Sequence, residues 1–476
     1  MTRFVLPLML SVALAGCAVG PDYRKPDLAL TPSFHTPAPE TQPAARAARL
    51  DAWWAAFGDP ELTRIVERAA AQNLDLVQAQ ARLAQSRAAA RAAGAALLPI
   101  AEATGSAAKV TQSLDGPIGT IGRHLPGFER DVDDDALGFG ASWEVDLFGG
   151  LRRQREAARA GVAASQADAA AVKLAVEADA ADAYLQIRAD QARIAVARRQ
   201  QQVQQDLVAL LNKRLSEGVS PERDLRQAEA ARAGVDATIP PLTIALEAEL
   251  NRLDVLMGAQ PGTYRAELIN DAAIPAAPAF AETATPADLL RRRPDVVAAE
   301  ARLRAANARI GAAVAEYYPH VSLAALLGVD SLKSGTLFDG DARQSQLAVG
   351  LRWRLFDFGR IDAEVAAARG RDAEAMAAYR LSVLKAAEEV ENAFTRLTQE
   401  RSRAIALERQ IAALAVARRQ AEEAYEGGVI SLVEVRDADS GLLAASDQLV
   451  QARAGAARAA VASVRAFGGG CLRVQQ

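Results

Sequence analysis

Two stretches of strict alternation stand out along the chain. In 137–147, Leu137, Phe139, Ala141, Trp143, Val145 and Leu147 share one side, and Gly138, Gly140, Ser142, Glu144 and Asp146 the other. In 347–355, Leu347, Val349, Leu351, Trp353 and Leu355 oppose Ala348, Gly350, Arg352 and Arg354. Period two with one apolar face predicts a β-strand. Each is preceded by a less regular first strand, over about 100–114 and 319–332. Each is followed, past Phe148-Gly149 or Phe358-Gly359, by a proline-free helical run, Leu151–Ser216 and Arg360–Glu426. At ~1.5 Å per residue either helix is roughly 100 Å long, which requires packing along its length. Val383, Val390, Leu397, Ala404 and Ile411 recur every seventh residue, the spacing of a coiled coil. Both runs end at a Gly-Val reversal. Return helices over about 221–257 and 432–466 follow, the first interrupted at Pro240-Pro241.

The order of elements repeats because the sequence repeats. Asn73-Leu-Asp-Leu76, Ala81-Arg82-Leu83 and Pro99 match Arg293-Pro-Asp-Val296, Ala301-Arg302-Leu303 and Pro319 at an offset of 220. Trp143, Phe148-Gly149 and Gly218-Val219 match Trp353, Phe358-Gly359 and Gly428-Val429 at 210. The division expected is a signal over 1–16, a tether over 17–50 and a first repeat over 51–258. A linker over 259–285, a second repeat over 286–466 and a tail over 467–476 follow. The fold class expected is mainly α with a membrane β portion, built from four strands per chain and long coiled-coil helices.

Four strands with one apolar face suit a membrane barrel but cannot close one, and an open edge in lipid leaves backbone groups unpaired. If these strands span a membrane, the chain oligomerises. No run of 18 apolar residues predicts a transmembrane helix.

The start of the chain is an address. Arg3, an apolar run from Phe4 to Leu14, and Ala15-Gly16-Cys17 form a secretory signal too short to span a bilayer. Leu14-Ala15-Gly16-Cys17 resembles a bacterial lipobox. The resemblance implies cleavage before Cys17, an S-diacylglycerol on its thiol and an acyl group on its new amine. Ala18 in the next position implies the outer membrane. An ordinary signal with a coincidental cysteine is the alternative.

Composition narrows the function classes. Half of the 476 residues are hydrophobic, largely alanine, and aromatics are 5%. Alanine favours closely packed helices. Removing 1–16 with Arg3 takes the formal charge from −4 to −5, which does not favour a nucleic-acid partner. Cys17 and Cys471 set no disulfide framework, and His35, His124 and His320 are scattered, so no metal site or cofactor is expected. Asp133-Asp134-Asp135 reads as an acidic surface loop without the spacing of a calcium loop. No nucleophile–base pair or phosphate loop is apparent, and an enzyme is not expected.

Several further motifs run across nearly the whole chain. They are Trp53-Trp54 with Phe57-Gly58-Asp59-Pro60, Leu290-Arg-Arg-Arg-Pro-Asp-Val296, Tyr317-Tyr318-Pro319, Phe356-Asp-Phe-Gly-Arg360 and Gly427-Gly-Val429. With the duplicated segments, they resemble the outer-membrane factors of tripartite efflux systems, in their OprM/TolC-like lipoprotein branch. The resemblance implies a homotrimer with a twelve-stranded outer-membrane barrel and a periplasmic α-barrel. It implies a passive conduit for drugs or other toxic solutes, a periplasmic adaptor and an inner-membrane pump of the RND type. By the same resemblance, the conduit closes near the Gly-Val reversals, with Asp437 as an acidic ring, Val433 as an apolar ring and Arg436 beside them. Ser440 stands where the family often has arginine, and Gln227 is the first-repeat counterpart of Asp437. Alternation places Glu144, Asp146, Arg352 and Arg354 on the barrel lumen, and Trp143 and Trp353 toward lipid. A type I secretion duct and a lipidated coiled-coil adaptor or scaffold are the competing readings. Duplicated amphipathic strands weigh against the adaptor.

Overall fold

The first repeat begins where a side chain caps a helix. The computed structural model describes residues 18–27, 31, 33–36, 50–270, 272–278 and 292–469. A 3-10 helix over Leu50–Phe57 leads through Gly58 (φ +66°) to Asp59, whose carboxylate accepts from Glu61 N (2.8 Å) and Leu62 N (3.1 Å). With Pro60 at the first helical position, these residues start α1, Pro60–Gln72. Helix α2, Leu74–Ala95, then leads into β1, Ile100–Thr111. A short α3, Pro117–Gly122, separates β1 from β2, Asp131–Val145. The first long helix, α4, is Gly150–Ser216.

The return divides into α5, Glu222–Asp236, and α6, Ile239–Leu256, with Pro240 and Pro241 in the first turn of α6. Proline lacks the amide that continuing α5 would need. A one-turn α7, Arg265–Leu268, follows. The second repeat runs through α8 (Pro294–Ala315), β3 (His320–Ser331), β4 (Arg343–Arg352), α9 (Arg360–Glu426) and α10 (Leu432–Ala466). The long helices α4 and α9 are 67 residues each.

The described chain forms two compact units that cut across the repeats. One takes the described residues of 1–26, 84–164 and 300–378; the other those of 27–83, 165–299 and 379–476. The first holds a single antiparallel sheet in the order β1-β2-β3-β4. The two repeats join in it directly, because β2 pairs with β3: Trp143 lies opposite Leu323, and Glu144 opposite Ser322. The second unit is helical. Trp53, Leu62, Ile65 and Val66 pack with Ala180, Tyr184, Leu185, Leu250 and Leu253. Alanines from α10 (Ala457, Ala460) complete this core, since their small side chains allow close helix approach.

Asp133-Asp134-Asp135 is not a loop. It lies inside β2, with Asp133 opposite Lys109 and Asp135 between Ala107 and Ser331. The ladder supplies the backbone partners, so exposed carboxylates are tolerated. Both strand pairs also end earlier than alternation suggested, at Val145 and Arg352.

Candidate functional site: a two-faced sheet and paired helix reversals

The register sorts the sheet into two faces. Phe139 opposite Ala103 and Leu327, with Leu347, Val349 and Leu351 farther across, forms an apolar face. It is bare in the single chain: Phe139 is 69% exposed, Leu347 82% and Val349 73%. The other face carries Glu102, Thr104, Ser142, Ser322, Gln344 and Gln346 among glycines. Soluble domains rarely leave so large an apolar patch uncovered. No described helix is long and apolar enough to cross a membrane.

Glu144 and Arg352 stand on the polar face and meet at His320. His320 Nδ1 lies 2.7 Å from Glu144 Oε1 and is directly opposite Arg352 in the register. These three residues, with Glu316 and Gln154, line a cavity of about 140 Å³. Asp146 and Arg354 lie just past the ends of β2 and β4 rather than on the ladder, and Asp146 lines the same cavity. Asp146 caps α4, accepting from Leu151 N (3.1 Å) and Arg152 N (2.9 Å). Four helix-start amides need acceptors, and a carboxylate there also suits the dipole. Arg354 instead bridges Glu316 and Glu364.

The tryptophans tie strands to helix ends in both repeats. Trp143 Nε1 donates to the Leu97 carbonyl at 3.0 Å, and Trp353 Nε1 to the Tyr317 carbonyl at 3.0 Å. A satisfied indole N–H with an apolar ring suits a membrane interface.

The reversals are also twins. Gly218 and Gly428 both have φ +73°, which favours glycine. Val219 N donates to Arg214 O (2.8 Å) and Val429 N to Ala424 O (2.9 Å), closing each helix end. Arg214 joins them, bonded to the Tyr425 hydroxyl with its guanidinium 5.4 Å from that ring's centre. Beneath lie Val208, Leu211, Leu225 and Ala228.

Val433 and Asp437, one helical turn apart on α10, are both exposed, and Arg436 lies 3.4 Å from Asp437. The sequence reading missed Asp439. It is 7% exposed, and its carboxylate accepts from Arg418 Nε of α9 at 2.7 Å. Only the packing of α9 on α10 distinguishes it from Asp437.

Cys17, where lipidation is expected, and Cys471 lie outside the described residues. The segment just after Cys17 is pinned at the start of α4. Val19 N donates to Phe148 O at 3.0 Å, and the buried Arg153 donates to Val19 O (3.3 Å) and to Asp22 (2.7 Å). Gly20 (φ +92°) crosses Gly311 so closely that a Cβ would lie 2.3 Å from the Gly311 Cα. Lys25 pairs with Glu300 at 2.6 Å.

Comparison with known proteins matches these features. The family model described as outer membrane efflux protein matches residues 65–259 and 285–469, one segment per repeat. A pyoverdine export outer membrane protein, OpmQ of Pseudomonas putida KT2440, is 30% identical over 475 residues, covering 98% of this chain and 97% of that protein. The cation efflux system protein CusC of Escherichia coli K12 is 25% identical over 446 residues, covering 94% of each. The solved outer-membrane channel OprN superposes with a TM-score of 0.86 at 32% identity, over 96% of this chain and all of that one.

Proposed function

The chain belongs to the outer membrane efflux protein family, and we propose that three copies of it assemble into a passive outer-membrane exit duct for toxic small solutes. The observation that carries this reading is the sheet. Its apolar face is bare, and its edge strands β1 and β4 each pair on one side only. Such edges are untenable in lipid. Three four-stranded sheets, joined β4 to β1, close a twelve-stranded barrel with no edge. The apolar face then meets lipid and the polar face lines water.

The long helices continue the conduit through the periplasm. A duct of this kind has no energy source, so a periplasmic adaptor and an inner-membrane pump of the RND type supply direction and cargo. At the reversals, three copies of Asp437 form an acidic ring and three of Val433 an apolar one. Adaptor engagement opens this end. Diacylglyceryl and acyl groups on Cys17 add a second membrane attachment, since each buried methylene contributes about 0.8 kcal/mol.

The test is conductance. The purified chain should migrate as a heat-modifiable trimer and give discrete single-channel steps in planar bilayers. A monomer with no conductance would exclude the duct.

A further inference from the structure

We propose that an arginine groove on α4 and α8 binds the phosphate headgroup of an anionic outer-membrane phospholipid. The inference rests on the reading that the apolar face of the sheet meets lipid.

Arg152, Arg155 and Arg159 recur at helical spacing on α4, and Arg304 joins them from α8. Ala160 and Ala163 floor the groove, leaving about 400 Å³ of open volume. Its one carboxylate, Glu156, is held by Arg153 at 2.8 Å. Arg152 is engaged by Asp146 at 3.1 Å, and Arg304 lies over the Tyr23 ring and 3.6 Å from Glu300. Among the described residues, Arg155 and Arg159 have no carboxylate partner. A side that gathers arginines and leaves two unneutralised selects an anion, and guanidinium forks match phosphate oxygens.

Position selects the source of that phosphate. At 100° per residue, Arg152 and Arg159 lie about 160° and 140° around α4 from Gln154, with Arg155 about 100° round on the same flank. Gln154 lines the cavity with Glu144, His320 and Arg352, which is the side of the polar sheet face. The groove is therefore on the side of the apolar face. It also begins within the first turn of α4, which starts five residues after β2 ends. Between them Phe148 stacks on Tyr318 at 4.6 Å, and Trp143 tops the strand foot. Apolar strands, then aromatics, then arginines is the order that acyl chains, interface and headgroups require.

The experiment uses the full-length trimer in neutral detergent, titrated with short-chain phosphatidylglycerol and read as lipid adducts by native mass spectrometry. Arg155→Gln/Arg159→Gln should weaken binding about thirtyfold. Ala163→Glu, which keeps every arginine but places a carboxylate in the groove, should do the same. Arg223→Gln/Arg226→Gln, two exposed arginines outside the groove, should bind as the parent does. Single-channel conductance of each variant separates the two readings: a conducting trimer keeps the duct whatever the lipid result. Unchanged lipid affinity in both groove variants overturns the proposal. So does equal loss in the control pair, or displacement of the lipid by inorganic phosphate at matching concentration, which would mark a free-anion site.

Discussion

The guanidinium of Arg293 donates to the carbonyl oxygen of Ala466 at 2.9 Å, binding the start of α8 to the last turn of α10. Asn73 makes the same link in the first repeat, donating to the Leu256 carbonyl at 2.9 Å. The duplicated motif thus performs one task twice with different chemistry. Asn73 also caps α2 through Asp75 N and Leu76 N. Arg293 instead gathers Asp295 and Glu389.

Arg293→Ala should therefore destabilise the chain by about 2–3 kcal/mol, because it leaves the Ala466 carbonyl without its partner and a void where the 5% exposed Arg293 packed, while the half-exposed Asp295 and Glu389 turn to water. Asn73→Ala should cost about 1–2 kcal/mol, the loss of a cap and one hydrogen bond. Thermal dissociation of the trimer, followed by the shift of the band to monomer, checks the ranking. A smaller effect for Arg293 than for Asn73 would contradict it.

The two faces of β4 should respond oppositely to charge. Val349→Lys places an ammonium on the apolar face and should reduce membrane insertion by about 2–4 kcal/mol if it lies near mid-bilayer. Gln346→Lys, on the polar face, should insert normally and alter ion selectivity only. Folding yields into vesicles measure the difference, and equal yields would count against a lipid-facing side.

Neighbouring aspartates at the reversal should separate by readout. Asp437→Ala should raise single-channel conductance and leave trimer melting nearly unchanged, because Asp437 is exposed. Asp439→Ala should lower melting by roughly 1–2 kcal/mol, since Arg418 loses its buried partner. Unchanged conductance in Asp437→Ala removes it from the gate.

Glu177 offers a pH test. Burial raises its carboxyl above the ordinary range, partly offset by Lys173 at 3.3 Å. A carboxyl whose folded pKa is raised holds its proton more tightly when folded. Stability therefore falls as pH rises from the ordinary carboxylate range through the raised folded value. Glu177→Gln should raise the melting temperature at pH 7.5 and have little effect at pH 4. A gain independent of pH would show that the group does not titrate between those limits.

The resemblance carried by local motifs was legible because each motif has a local physical cause. Gly58-Asp59-Pro60 starts a helix in any context, and Pro240-Pro241 breaks one. Three features were not legible. Asp133–Asp135 looked like loop because the ladder that holds it extended comes from β1 and β3. Asp146 and Arg354 keep the strand's alternation in sequence, but both lie past the strand ends, where one caps the helix that follows and the other bridges two carboxylates. Asp437 and Asp439 look equivalent in sequence.

The sequence by itself determined the repeat, the two amphipathic strands, the two long helices to within a residue and the family, all of which depend on periodicity and short-range stereochemistry. The tertiary structure alone decided that β2 pairs with β3 across the repeats, which carboxylate is buried against Arg418, and that Arg304 of α8 joins Arg155 and Arg159 of α4 in one groove. These depend on contacts between residues distant in sequence, where a helix rotation of 100° or a one-residue strand shift moves a side chain to another face.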